Sequence, residues 1–128
     1  MSSVFSKIIS GDIPCYKVAE DEYNLAFLDI NPIKEGHTLV IPKKNIDYIF
    51  DLDNDSYMSL WFFAKKTADI IYKKIKCKRV AIVVLGLEVP HAHIHLIPID
   101  SEKDLDFNKD RLSFSDFDFK STVRSLSK

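Results

Sequence analysis

Apolar residues Val4, Phe5, Ile8 and Ile9 follow i, i+4 spacing at the start of the chain, which predicts a short helix. Gly11, Asp12 and Pro14 end it. From Cys15 to Glu20 polar and apolar positions alternate, with Tyr16 and Val18 on one face. A turn signal at Asp21 to Asn24 follows, and Leu25 to Ile30 returns as a strand with Leu25, Phe27 and Asp29 on one side, the pattern of a hairpin. Asn31, Pro32 and Gly36 mark a loop before the apolar run His37 to Ile41, which Pro42 closes.

The longest periodic stretch is helical: Tyr57, Trp61, Ala64, Ala68, Ile71 and Ile75 form one stripe, while Lys65, Lys66, Asp69, Lys73 and Lys74 lie off it. Asp53, Asn54 or Asp55 can cap its start. Lys73, Lys74, Lys76 and Lys78 gather at its end, where the helix dipole favours cations. Val80 to Leu85 is apolar at every position and reads as a central strand covered on both faces. Gly86 and Pro90 bracket a short connection to a last strand, His91 to Ile97. Asp100 to Asp110 reads as a polar loop. A closing helix runs from a cap at Ser115 with Phe119, Val123 and Leu126 on one face.

The pattern therefore predicts an α+β fold: a five-stranded, mainly antiparallel sheet with one long helix and short N- and C-terminal helices. Links after the first and fourth strands are long enough for hairpins and too short for helical crossovers. Residues 1–128 form one domain, and 111–128 are its helical tail.

Composition narrows the partners. Eighteen Lys plus Arg against nineteen Asp plus Glu give a net charge of −1, so nothing global drives binding to nucleic acid, whose affinity rests on many phosphate contacts, or to an acidic membrane surface. No apolar run reaches the roughly 18–20 residues that span a bilayer, and the opening residues lack a basic flank and apolar core of a leader. The expectation is a soluble cytoplasmic protein. Cys15 and Cys77 form no CxxC pair and are expected to be buried free thiols.

The chemistry is concentrated in Pro90 to Pro98, P-H-A-H-I-H-L-I-P. On a strand, His91, His93 and His95 share one face while Ala92, Ile94 and Leu96 take the other. Three of the four histidines stand here, and the fourth, His37, opens the third strand. Such a row suits two chemistries. Neutral imidazoles can hold zinc or iron, although no carboxylate is interleaved to complete the set. Alternatively, one ring is a nucleophile toward phosphorus and a neighbour, once protonated, gives its proton to the leaving group.

At these residues the chain resembles the histidine triad (HIT) superfamily, whose signature of three histidines alternating with apolar residues is filled by His91-Ala92-His93-Ile94-His95-Leu96-Ile97. VFSKIISGDIPCYKV, EDEYNLAFLDINP and GHTLVIPKK are similar to the family's opening, hairpin and fourth-histidine strand, so the likeness covers nearly the whole chain. The resemblance implies a hydrolase or transferase acting at the α-phosphorus of a nucleoside phosphate, such as a phosphoramidate or dinucleoside polyphosphate, without a cofactor or metal. It implies that His93 forms a nucleotidyl-histidine, that His95 contacts phosphate and assists the leaving group, and that His91 and His37 orient the central ring. It further assigns Asp29 to the ribose hydroxyls of a purine nucleotide and Phe5, Ile8, Phe27 and Ile30 to the base. A homodimer through the long helix and the Val80 to Leu85 strand is implied as well.

Just before the triad the chain departs from the family pattern. Leu85, Gly86, Leu87, Glu88 and Val89 stand where the hydrolases place an Asn, a Gly-rich loop and side-chain donors to phosphate. Backbone N–H groups near Val89 are then expected to take over, with Glu88 turned outward. The departure motivates an alternative function, a nucleotide- or partner-binding module with little turnover. A metal-binding protein is the third reading.

Overall fold

The computed structural model describes residues 3–127. Helix α1 (Val4–Ser10) leads into strands β1 (Lys17–Glu20), β2 (Asn24–Leu28) and β3 (Thr38–Pro42). Then come helix α2 (Asn54–Lys74), strands β4 (Arg79–Val83) and β5 (Ile94–Ile99), and helix α3 (Asp116–Leu126). The sheet is antiparallel throughout, in the order β1-β2-β3-β5-β4. This is the α+β, five-stranded architecture that the sequence predicts.

Strand alternation divides the sheet into two faces with different tasks. Ala26, Leu28, Val40, Ile94 and Leu96 join Leu60, Phe63, Ala64 and Ile71 of α2 in the larger core. Leu25, Phe27, Leu39 and Ile41 point the other way, into a smaller cluster with Phe5 of α1. Register carries that second face into the histidines, because Phe27 pairs with Leu39 and Leu39 with His95. Capping fixes the helix starts. Ser3 and Ser115 form reciprocal capping boxes, and Asp53 accepts the Ser56 N–H at the head of α2. The tail helix is anchored by Tyr16, which stacks on Phe119 at 4.7 Å and donates its hydroxyl to Asp116 at 2.7 Å.

Four expectations need correction. Val80 to Leu85 is an edge and not a central strand, since β5 inserts between β3 and β4; Ile82 and Leu85 are each 48% exposed. The most buried stripe of α2 is Leu60, Phe63, Ala64, Thr67 and Ile71, rotated from the predicted one, with Tyr57, Trp61, Ala68 and Ile75 half-buried at its border. The last strand begins at Ile94, so His91 and His93 precede it in a bent segment. Cys15 and Cys77 are free but only half-buried, burial raising the pKa of each.

One glycine positions the site directly. Gly36, just before His37, has φ +89°, and a β-carbon there would drive into the Ile75 side chain at the end of α2. Gly36→Ala is therefore expected to cost about 1–2 kcal/mol, the strain of a left-handed non-glycine residue, read as a lower urea midpoint. An unchanged midpoint would show that the loop relaxes freely.

Candidate active site

Two adjacent strands and one bent segment bring all four histidines together. His37 stands at the foot of β3 and His95 on β5, and their rings meet through a hydrogen bond of 2.9 Å between His37 Nε2 and His95 Nδ1. His93 lies beside His95, ring centroids 5.1 Å apart. Phe5 of α1 joins the remaining pair, its ring edge-on to His93 at 5.1 Å and to His91 at 6.2 Å. All four imidazoles are buried or nearly so, from 0% exposed at His91 to 8% at His95.

The protonated nitrogens follow from their partners, because a backbone carbonyl only accepts and a backbone N–H only donates. His91 donates from Nε2 to the Pro42 carbonyl at 2.8 Å, and His93 donates from Nδ1 to the His91 carbonyl at 2.7 Å. His37 accepts the Ile33 N–H at Nδ1, 3.2 Å away, so its own proton sits on Nε2 and points toward His95. His95 accepts at Nδ1 and carries its proton on Nε2. What remains is a bare lone pair on His93 Nε2 beside an N–H on His95 Nε2. A free lone pair and an N–H donor thus stand on neighbouring rings. His91 Nδ1, in contrast, is buried with no partner.

Electrostatics agrees with neutral rings. Burial, helped by Arg111, pushes His37 down to about 3. Burial together with His37 and His93 does the same to His95, against the pull of Asp29. Burial also lowers His91, with the Pro42 carbonyl acting in the opposite sense. Asp29 lies 3.5 Å from His37 Nε2 and accepts the Asn31 N–H at 2.8 Å.

Asp29, His37 and His95 form the one group among the described residues whose ligand atoms converge, all within 4.8 Å of one another. They fit a cation poorly. To bind one through Nε2, His37 would have to move its proton to Nδ1, where it would face the Ile33 N–H.

Among the expected base-contacting residues, Phe5, Phe27 and Ile8 come together in the small apolar cluster under the histidines, and Val89, expected near the phosphate, packs against it. Ile30 does not join them and is 63% exposed. Residues 84–93 lie outside the strands, with bends at 87–91 and Gly86 at φ 69° just before them, so strand alternation does not extend through them. Leu87 is 88% exposed and Glu88 also faces solvent, so neither side chain reaches the rings from within the core. Two residues near the site escaped the sequence reading. Phe107 packs edge-on against His95 at 5.3 Å, and Arg111 lies over Phe107 at 5.4 Å. Their only signal was an isolated aromatic and an arginine in a polar stretch.

The HIT domain family profile matches residues 10–102. The chain belongs to the HIT family. An uncharacterised HIT-like protein of Methanocaldococcus jannaschii is 44% identical over 100 residues, 74% of this chain and 77% of that one. The adenosine 5'-monophosphoramidase of Schizosaccharomyces pombe is 39% identical over 108 residues, 80% of this chain and 78% of its own length. The crystal structure of a HIT-like protein involved in cell-cycle regulation from Bartonella henselae superimposes with a TM-score of 0.88 at 27% identity, covering 98% of this chain and 93% of that one. No helix among the described residues is long and apolar enough to cross a membrane.

The depressed histidines tie stability to pH. Unfolded histidines titrate near about 6.5, so between that value and about 3 the unfolded chain binds more protons than the native one. The stabilisation is complete above about pH 6.5 and is lost as the pH falls toward 3. Denaturant midpoints are expected to drop between pH 7 and 4.5, and His37→Gln to flatten that drop. A wild-type midpoint independent of pH in this interval contradicts the assignment.

Proposed function

We propose that the protein hydrolyses or transfers at the α-phosphorus of a nucleoside phosphate, of the phosphoramidate or dinucleoside polyphosphate type, through a nucleotidyl-histidine. The observation that carries this reading is the proton arrangement at the paired rings: a free lone pair on His93 Nε2 next to an N–H on His95 Nε2. The S. pombe relative, named a monophosphoramidase, supports the same substrate class.

His93 Nε2 attacks phosphorus as the bond to the leaving group breaks, and the positive charge on the modified ring is met by the His91 carbonyl at Nδ1–H. His95 stays neutral, its Nδ1 occupied by the His37 N–H, and meets the departing atom with a hydrogen bond from Nε2–H while solvent water supplies the proton that atom takes. Water then attacks the nucleotidyl-histidine and gives its proton to solvent, which releases the nucleoside monophosphate and restores His93. Asp29 is suited to the ribose hydroxyls, with Phe5, Ile8 and Phe27 against the base and backbone N–H groups near Val89 on the phosphate. Ile30, being exposed, serves only at the rim.

A second reading, nucleotide binding with little turnover, draws support from the exposed Leu87 and Glu88, which offer the phosphate no donor. Adenosine and guanosine phosphoramidates and dinucleoside polyphosphates, assayed with and without a strong chelator, separate the two. Turnover that survives chelation is expected; binding without turnover selects the second reading, and loss on chelation restored by zinc selects a metal protein. His93→Ala is expected to abolish turnover while nucleotide affinity stays within about tenfold, because losing the nucleophile acts on the transition state. Near wild-type turnover by that variant would remove the covalent step.

We also propose a homodimer. β4 pairs on one side only, and its exposed Ile82 continues into exposed Leu85, an apolar edge that a second copy would cover. Light scattering at micromolar concentration is expected to give twice the chain mass, and a monomer mass refutes the pairing.

A further inference from the structure

Beyond β5, and beyond the family match that ends at residue 102, the chain crosses back over the site before entering α3. Two hydrogen bonds fasten this strap to the loop that carries Asp29 and His37. Arg111 donates to the Asn31 carbonyl at 2.8 Å, and the Leu112 N–H donates to the Pro32 carbonyl at 2.8 Å. Lys34 and Asp104 add an ion pair at 3.8 Å. Held this way, Phe107 presents its ring edge-on to both members of the central pair, His95 at 5.3 Å and His37 at 6.5 Å. The Arg111 guanidinium covers Phe107 from a distance of 5.4 Å, and it has no carboxylate partner within ion-pair distance among the described residues.

We infer that Phe107 is a positioning residue. Its ring, clamped by Arg111, closes one side of the His37–His95 hydrogen bond to water and so keeps the His95 proton on Nε2, where a leaving group is met. The inference rests on the reading of His93 and His95 given above. Water admitted at this point would compete for both His95 Nδ1 and the His37 N–H, and the bond that fixes the tautomer would weaken. An apolar ring is the group that can approach closely without offering either ring a donor or an acceptor. The charged and titratable groups facing His95 are His37 from β3, Asp29 from the loop after β2, His93 from the segment entering β5 and Arg111 from the strap. Replacing Phe107 leaves the first three in place and Arg111 still bonded to the Asn31 carbonyl, so the graded series reads the exclusion of water.

The test is a graded series, Phe107→Leu, Phe107→Val and Phe107→Ala, in the full chain. Nitrogen-15 spectra of the histidine rings report tautomer and titration without any substrate. The wild type and F107L are expected to hold His95 with its proton on Nε2. F107A is expected to mix the tautomers and raise the His95 midpoint by about one pH unit or more, with F107V between them. On whichever substrate of the panel the wild type turns over, F107A should lower kcat about tenfold or more with KM changed less than about threefold, and F107L should recover most of the loss. If F107A does not fold, F107L against F107V gives the same ordering. His95 tautomer and titration unchanged across the series overturn the inference, as does a loss confined to KM, which would make Phe107 a substrate contact. Failure of the hydrolase reading itself appears differently, as a wild type without turnover whose ring spectra still answer the positioning question.

Discussion

The hydrogen bond between His37 and His95 is the constraint on which the site depends. Each ring has two nitrogens, and a neutral ring has one proton to place between them. The Ile33 N–H decides His37, His37 decides His95, and the choice at His95 puts a donor on the solvent-reaching side. Nothing in this chain of decisions involves a charged group. It therefore survives burial, which would penalise an ionised pair by several kcal/mol. The neighbours follow from it: β3 and β5 must be adjacent, Gly36 must turn left-handed to deliver His37, and the loop carrying Ile33 must close tightly over four residues.

The two faces of the sheet explain why such a polar pair tolerates being buried. On the α2 face, large aliphatic residues supply the stability expected of a domain this size, each fully buried Leu or Ile contributing about 1.5–3 kcal/mol. The opposite face is thinner, with the seven-residue α1 and its single buried aromatic, Phe5, lying over Phe27 and the histidines. The candidate site occupies the face that carries less of the core, so imidazoles there replace few apolar contacts. Phe5 serves both needs, packing against Phe27 while turning its edge to His91 and His93.

Much of this was legible in the sequence, and the parts that were not have physical reasons. The shared side of Leu25, Phe27 and Asp29 within Leu25 to Ile30 gave β2 and one of its faces, the apolar run His37 to Ile41 gave β3 without its faces, and the spacing of three histidines singled out the candidate site. The edge position of β4 was hidden because an apolar run looks alike whether a neighbouring strand, a helix or another protein covers it. The bend ahead of Ile94 was hidden because HxHxH alternates equally well outside a ladder. The rotated stripe of α2 arose from Leu60 and Thr67, where α2 faces four strands and needs a wider buried face than one line of residues provides.

Ring partners also explain why the middle histidine, and neither of its neighbours, is suited to attack. His91 has its proton held by Pro42 and its lone pair sealed in the interior, where no substrate atom can reach it. His95 spends its lone pair on His37 and has only a proton to offer outward. His93 also anchors its proton on a backbone carbonyl, and its uncommitted lone pair belongs to a ring that is not fully enclosed. That carbonyl belongs to His91, so the first histidine of the triad acts through its backbone as well as its ring. A substitution of the His91 side chain would therefore leave the backbone tie on the His93 ring in place, provided the bend that aims the carbonyl is kept by the His91 N–H bond to Val89 and the Ala92 N–H bond to Ile46.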